Sequence, residues 1–297
     1  MIIAVTGSSG LVGTALVEAL EANGQLVRPV VRRAPKNENE IRWDPTAGTI
    51  DAAELSKVDA VVHLAGESIV AKRWSESFKK EILDSRVKGT KLLCETLAGK
   101  EAKPSVLVSA SAIGYYGSRG EQLVDESSAP GSGFLADVCE AWEAATKPAS
   151  DAGIRVVNLR IGFVLAREGG GLAKMLTPFK LGTGGVVGSG RQYMSWIALD
   201  DLVRTIQFAL SAAAVSGPVN ATAPQPVTNR EFTKTLGRVL NRPTIFPVPA
   251  FAARLAFGEM ADDMLIGGVR VEPRALSAAG FEFAYPQLEL ALRHILT

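Results

Sequence analysis

The 297-residue chain has only two cysteines and two histidines. Cys94 and Cys139 show no Cys-x-x-Cys spacing, so neither a disulfide framework nor a thiolate metal site is expected. His63 and His294 cannot build a zinc site between them, and no metal centre is predicted. The formal net charge is +1, which gives no electrostatic footprint for nucleic acid or for a membrane surface. No apolar run is long enough to cross a bilayer, and no basic region precedes the first apolar stretch as in a secretory leader. Repeats and low-complexity tracts are absent. These absences predict a cytoplasmic globular protein that acts on a small molecule of unspecified identity. The hydrophobic content of 47% suffices for a full core.

What is present is concentrated at the start. Ile2 to Val5 is a short apolar run suited to a buried parallel strand, and Gly7, Gly10 and Gly13 follow it. The spacing of Leu11, Leu16, Val17 and Leu20 then predicts a helix. A strand that breaks into glycines and re-enters a helix leaves unpaired backbone N–H groups at the positive end of the helix dipole. Residues Gly7, Ser8, Ser9, Gly10, Leu11 and Val12 are therefore the expected pyrophosphate cradle. Gly7 serves the tight turn, Gly10 the close approach of backbone to phosphate, and Gly13 the packing of helix on strand.

Further strands are predicted at 26–31, 60–65, 105–109 and 154–159, alternating with helices at 11–23, 75–97 and 135–149. That alternation implies right-handed crossovers and a parallel sheet covered on both faces. The second half is punctuated by glycines at 169–171 and 184–185 and by prolines between 218 and 249. It contains a capping box, Thr228 with Glu231, that should open a helix running to about Leu240. Helices are also expected at 251–260 and 287–296. The fold class is α/β, a Rossmann-type doubly wound parallel sheet with a smaller, mostly helical C-terminal lobe. Residues 1–168 and 191–222 are assigned to the dinucleotide-binding domain. Residues 169–190 and 223–297 are assigned to a substrate or cap lobe, with loops at 169–171 and 182–190 bordering the cleft.

The second strand ends Val30-Val31-Arg32-Arg33, with no acid before Glu38. An acidic residue there would accept bonds from a free ribose 2′-hydroxyl, whereas arginine pairs with a 2′-phosphate. Arg32 and Arg33 thus predict NADP(H) as cofactor; a pair of solvated strand-end charges is the other reading. Leu64, Ala65, Gly66 and Glu67 follow the next strand, where small residues let a nucleotide lie against backbone. His63 reads as a packed strand histidine. Ser109 to Gly117 lies at the carboxyl end of a central strand, where substrates bind in open parallel sheets.

Taken together, the opening Thr-Gly-x-x-Gly-x-x-Gly, Leu64-Ala65-Gly66, and Ser109-Ala110-Ser111-Ala112 leading into Tyr116-Gly117 resemble the extended short-chain dehydrogenase/reductases. The resemblance implies a catalytic role for Ser111, which matches the family's substrate-binding serine. It also implies that the strand carrying Arg160 and Gly162 meets the nicotinamide end. The family's chemistry rests on a Tyr-x-x-x-Lys pair on the following helix. Aligning Glu143 with that helix's usual glutamate puts Leu135 at the tyrosine position and Cys139 at the lysine position, and neither can transfer a proton as that pair does. Phe134-Leu135-Ala136-x-x-Cys139-x-x-Trp142-Glu143 is similar instead to an atypical branch, the NAD-dependent epimerase/dehydratase-like proteins with a C-terminal domain of unknown function. Ala198 stands where that branch usually has histidine after Ser-Trp-Ile.

Substitutes for the missing pair are Tyr115 or Tyr116 as proton donor, with Arg86 on the long helix as a local cation and a cofactor contact. Packed aromatics and a surface arginine are the alternative. Trp142 and Glu143 are expected to fix the helix, and Cys139 to be a small buried residue. The resemblance also implies a homodimer paired through helices 75–97 and 135–149. Two functions stay open. One is an NADP(H)-dependent oxidoreductase or epimerase; the other is a non-catalytic NADP(H) sensor acting through a protein partner.

Overall fold

The computed structural model describes residues 1–297. In chain order the elements are β1 (Ile2–Thr6), α1 (Leu11–Ala22), β2 (Leu26–Val31), β3 (Ile41–Asp44), β4 (Thr49–Ile50), α2 (Ala52–Leu55), β5 (Ala60–His63), α3 (Glu76–Ala98), β6 (Val106–Ala112), β7 (Leu123–Val124), α4 (Phe134–Ala144), α5 (Lys147–Asp151) and β8 (Arg155–Ile161). Then follow β9 (Phe163–Leu165), α6 (Gly170–Lys180), β10 (Tyr193–Met194), β11 (Trp196–Ala198), α7 (Leu199–Ser211), β12 (Gly217–Ala221), β13 (Val227–Thr228), α8 (Asn229–Val239), α9 (Ala250–Phe257), α10 (Glu259–Ala261), β14 (Arg270–Val271), α11 (Arg274–Ala278) and α12 (Leu288–Leu296). No helix is long and apolar enough to cross a membrane.

Eight strands form one sheet in the order β12-β8-β6-β5-β1-β2-β3-β4. Strands β3, β2, β1, β5 and β6 pair parallel, and β4 closes the edge antiparallel to β3. The chain winds outward from β1 through β2 to β3, then returns to the other side of β1 with β5. The strand order therefore reverses between β1 and β5. The carboxyl ends of that pair are the place where a doubly wound sheet opens a crevice for a ligand. The β3–β4 ribbon was not expected: its strands have only four and two residues, too short to show a period.

Contacts divide the chain into two compact units. The first comprises residues 1–111, 138–159 and 203–219; the second comprises 112–137, 160–202 and 220–297. These bounds differ from the expected ones at 112–137, 160–168, 191–202 and 220–222, which group with the second unit. In the first unit, α1 buries Gly13, Leu16 and Leu20, spaced as one helical face. A core of Val30, Ile41, Trp43, Val61, Leu93, Leu97 and Leu107 fills the space between sheet and helices. The predicted helix 135–149 is two helices, α4 and α5, the second with Pro148 in its first turn. A proline ring fits there and not further inside a helix.

The second unit has its own core around Trp196, Phe179, Phe232 and Leu292, with Ala198 buried in it. Three two-stranded pairs, β10–β13, β9–β11 and β7–β14, accompany its helices. Helix α8 starts on the expected capping box, with Thr228 and Glu231 satisfying each other's backbone N–H groups. The glycines at 169–171 are not a loop, contrary to expectation. Gly169 caps α6 at φ 77°, and a Cβ on Gly171 would lie 2.3 Å from the Phe163 ring. Glycine there serves helix–ring packing.

Candidate functional site

In the first unit, the glycine loop forms as expected. Gly7 has φ 68°, and a Cβ there would lie 2.8 Å from the backbone carbon of Leu64. Only glycine satisfies both demands. A Cβ on Gly13 would fall 2.1 Å from the Gly7 carbonyl oxygen, so the helix can sit this close to the loop only without a side chain. A Cβ on Gly10 would meet nothing within 4 Å beyond that same carbonyl oxygen, which leaves the loop's face open to a ligand. Helix α1 has no side-chain N-cap and no acid in its first turn. Its N-terminal N–H groups and positive dipole end are therefore uncompensated by protein, as an anion site requires.

The loop after β5 is tied to this cradle through Thr6. The backbone N–H groups of Leu64 and Ala65 donate to Thr6 Oγ1 at 3.1 and 3.2 Å. Thr6 Oγ1 also lies 2.8 Å from His63 Nδ1, and His63 Nε2 lies 2.9 Å from Thr90 Oγ1. With both lone pairs of Thr6 occupied, its hydroxyl proton must go to Nδ1, so neutral His63 carries its proton on Nε2 and donates to Thr90. Full burial pushes the His63 pKa down to about 4. His63 is thus the packed strand histidine expected, and it also orders the loop holding Leu64, Ala65, Gly66 and Glu67.

The two arginines after β2 have different fates. Arg33 binds Glu40 through two bonds of 2.6 and 2.5 Å, and that pairing holds the Glu40 carboxyl down to about 2. Arg32 is exposed, and its side chain has no ion-pair partner. Arg33 is therefore not the freely available phosphate ligand expected. Glu40 stands seven residues on, too far along the chain to show as part of the strand end. It immediately precedes β3, whose parallel pairing with β2 sets Ile41 opposite Val30 and so returns Glu40 to this end of the sheet.

Ser111, at the end of β6, is buried, and its hydroxyl donates to Glu143 Oε1 at 2.7 Å. Glu143 thus does more than fix its helix, contrary to expectation. It stands four residues after Cys139, on the same face of α4. Arg86 projects from α3, donating through Nη1 to the carbonyl oxygens of Glu67 and Ile82 at 3.0 and 3.2 Å. Its guanidinium lies 5.0 Å over the Trp142 ring. Ser109 is buried with its hydroxyl turned to the Ala110 carbonyl at 3.4 Å, so it lends only backbone to the strand end. Cys139 is buried, as expected.

In the second unit, Tyr116 is fully buried. Its hydroxyl donates to Asn220 Oδ1 at 2.7 Å and accepts from Arg160 Nη1 at 2.9 Å. Burial pushes its pKa up to about 12. Tyr116 is therefore a structural phenol, not the proton donor considered from sequence. Arg160 stacks 3.4 Å from the Tyr115 ring centroid and is buried, so its charge is engaged within the unit and is not offered to a nucleotide. A Cβ on Gly162 would sit 2.6 Å from the Ser195 carbonyl oxygen, and its N–H donates to Ala221; the glycine is demanded by packing. Tyr115 is half-buried, with its hydroxyl free of hydrogen bonds.

A doubly wound sheet, an open glycine cradle at its reversal point and a strand-end serine facing the next helix define a Rossmann-type short-chain dehydrogenase/reductase. Residues 3–221 match the NAD dependent epimerase/dehydratase family, and residues 248–295 match a domain of unknown function. The chain belongs to the NAD dependent epimerase/dehydratase family. It is 48% identical to an epimerase family protein of Mycobacterium bovis, over all of this chain and 98% of the relative. Identity to the human epimerase family protein SDR39U1 is 37%, over the full length of both. The crystal structure of human SDR39U1 isoform 2 with NADPH superposes with a TM-score of 0.90 at 36% identity, covering 99% of each chain. A nucleoside-diphosphate sugar epimerase of Corynebacterium glutamicum gives 0.83 at 38% identity; all of this chain covers 58% of that one.

Proposed function

We propose that the protein binds NADP(H) and is an atypical oxidoreductase or epimerase in which Ser111 and Glu143 handle the proton. The open cradle Gly7–Val12 fits a diphosphate, and Arg32 fits a 2′-phosphate. The NADPH bound by the human relative supports the same cofactor here. When bound, the nicotinamide supplies or accepts a hydride. Everything else falls to the chain. Ser111 meets the substrate oxygen, takes the hydroxyl proton as a carbonyl forms, and passes its own proton to the Glu143 carboxylate. The reverse direction returns both protons.

The 2.7 Å bond between Ser111 and Glu143 carries this reading, because it joins a hydroxyl to a carboxylate base on the helix face left without Tyr and Lys. The test is NADPH oxidation against aldehydes, ketones and nucleoside-diphosphate sugars. Glu143→Gln preserves an acceptor for Ser111 but cannot take a proton, and should slow turnover about a hundredfold with NADPH affinity unchanged. Turnover at the wild-type rate would contradict the role given to Glu143.

A second reading has its own support. Leu135 and Cys139 replace the family's Tyr and Lys, which favours an NADP(H) sensor working through a partner. Tight NADPH binding without turnover across the panel would select it.

A further inference from the structure

Three arginines of the second unit are buried or half-buried, and the protein satisfies two of them. Arg119 spends its guanidinium on the carbonyl oxygens of Tyr116, Ala129 and Pro130, and Arg160 donates to the Tyr116 hydroxyl. Arg270, on β14, is the third. It is half-buried, and its side chain makes no hydrogen bond and no ion pair within the protein; its Nε is fully buried without an acceptor. A buried donor without an acceptor is costly, and a partly desolvated charge without a counter-charge adds to the cost.

The fold nevertheless holds this guanidinium in place. Val269 and Val271 are buried beside Tyr116 and Val124, so strand alternation turns Arg270 to the opposite face. There its Cζ lies 5.2 Å from the Tyr193 ring centroid, a contact that orients arginine's planar group and does not use its N–H donors. Ser195 clamps the backbone on either side of it. The Ser195 hydroxyl donates to the Val269 carbonyl at 2.8 Å and accepts from the Val271 N–H at 2.9 Å. Gly268 lets the segment lie against Tyr193, since a Cβ there would fall 2.4 Å from the Tyr193 carbonyl oxygen. Supports of this kind are what a ligand-binding group needs in order to stay fixed. A merely solvated charge needs none.

We propose that Arg270 is a substrate-binding residue whose ligand is a carboxylate, so that the protein acts on a small hydroxy or oxo acid. One guanidinium matches one carboxylate in charge, and its parallel N–H donors match the two carboxylate oxygens. A diphosphate carries more charge than this single arginine neutralises. The proposal rests on the reading of the protein as an NADP(H)-dependent oxidoreductase or epimerase, and it narrows the substrate class.

Phenylglyoxal labelling of the full-length protein, read at Arg270 by mass spectrometry, tests the site without requiring turnover, with the exposed Arg167 as control. Acetate, pyruvate and succinate are the probes, set against their methyl esters and against uridine diphosphate. At least one acid should slow labelling of Arg270 about tenfold more than its ester does, with Arg167 unaffected. Protection by none of the acids, equal protection by the esters, or stronger protection by uridine diphosphate would overturn the assignment. So would a failure of Arg270 to label without ligand, because its donors would then be closed to any substrate. Kinetics supply a second readout for whichever of pyruvate and succinic semialdehyde is reduced. Arg270→Gln should raise KM for the acid about tenfold or more, change kcat far less, and leave KM for the methyl ester in place. Equal KM shifts for acid and ester would contradict the proposal. Protection of Arg270 by an acid without turnover of any carbonyl compound would leave the carboxylate site standing and contradict the oxidoreductase reading instead.

Discussion

Two residues of one chemical type, Arg32 and Arg33, show how a neighbour decides what a side chain can do. Glu40 holds Arg33, whereas Arg32 stays uncommitted. Replacing Arg32 by alanine should raise the dissociation constant for NADPH on the order of tenfold with little change for NADH. Arg33→Ala should do much less, and titrating both variants with both nucleotides checks the contrast. His63 allows a pH test. Its folded pKa of about 4 lies below the ordinary 6.5. The unfolded chain therefore binds the proton first, and stability is complete above pH 6.5 and lost as pH falls towards 4. The loss should amount to roughly 3 kcal/mol across that window. Urea melts at pH 7, 5.5 and 4 should show it, and a His63→Gln variant should lack that contribution. Cys139 and Glu143 share one helix face, but the bond from Ser111 to Glu143 was not legible, because a contact across 32 residues leaves no local pattern.

Of the parallel strands, β1, β2, β5, β6 and β8 were legible because each carries a short apolar run, whereas β3, Ile-Arg-Trp-Asp, has none. The first turn of α1 was legible for the same reason, its glycines having distinct jobs that chemistry assigns. Gly13→Ala tests the tightest of these. The added methyl meets the Gly7 carbonyl at 2.1 Å and should cost about 1–3 kcal/mol, read by denaturant melts. Thr6→Val keeps the shape of β1 but strands the Ala65 N–H and His63 Nδ1, while the Leu64 N–H retains the residue-6 carbonyl at 3.3 Å. It should destabilise by about 1–3 kcal/mol and weaken the coenzyme as the loop loosens. Helix α8 was foreseen from its capping box, whereas α6 was hidden because a glycine triplet reads as a loop until Phe163 is seen packed against Gly171. The two- and three-residue strands of the second unit were not legible at all. Their pairing is set by partners remote in sequence, such as β7 with β14.

On the scale of the whole molecule, the cradle, Arg32, Arg86, Ser111 and Glu143 all belong to the first unit, which is assembled from three separate stretches of chain. Helix α4 supplies Glu143 only because the chain returns to this unit after residue 137. A contiguous domain boundary drawn along the sequence could not express that return. The second unit keeps the Tyr116 hydroxyl and Arg160 occupied with each other, which removes Tyr116 from the acid–base candidates. Calorimetric titration of the full-length protein with NADPH and with NADH tests the account most directly. It predicts a single NADPH site with NADH about tenfold weaker or worse. Heat from neither nucleotide, or NADH binding as tightly as NADPH, would contradict it.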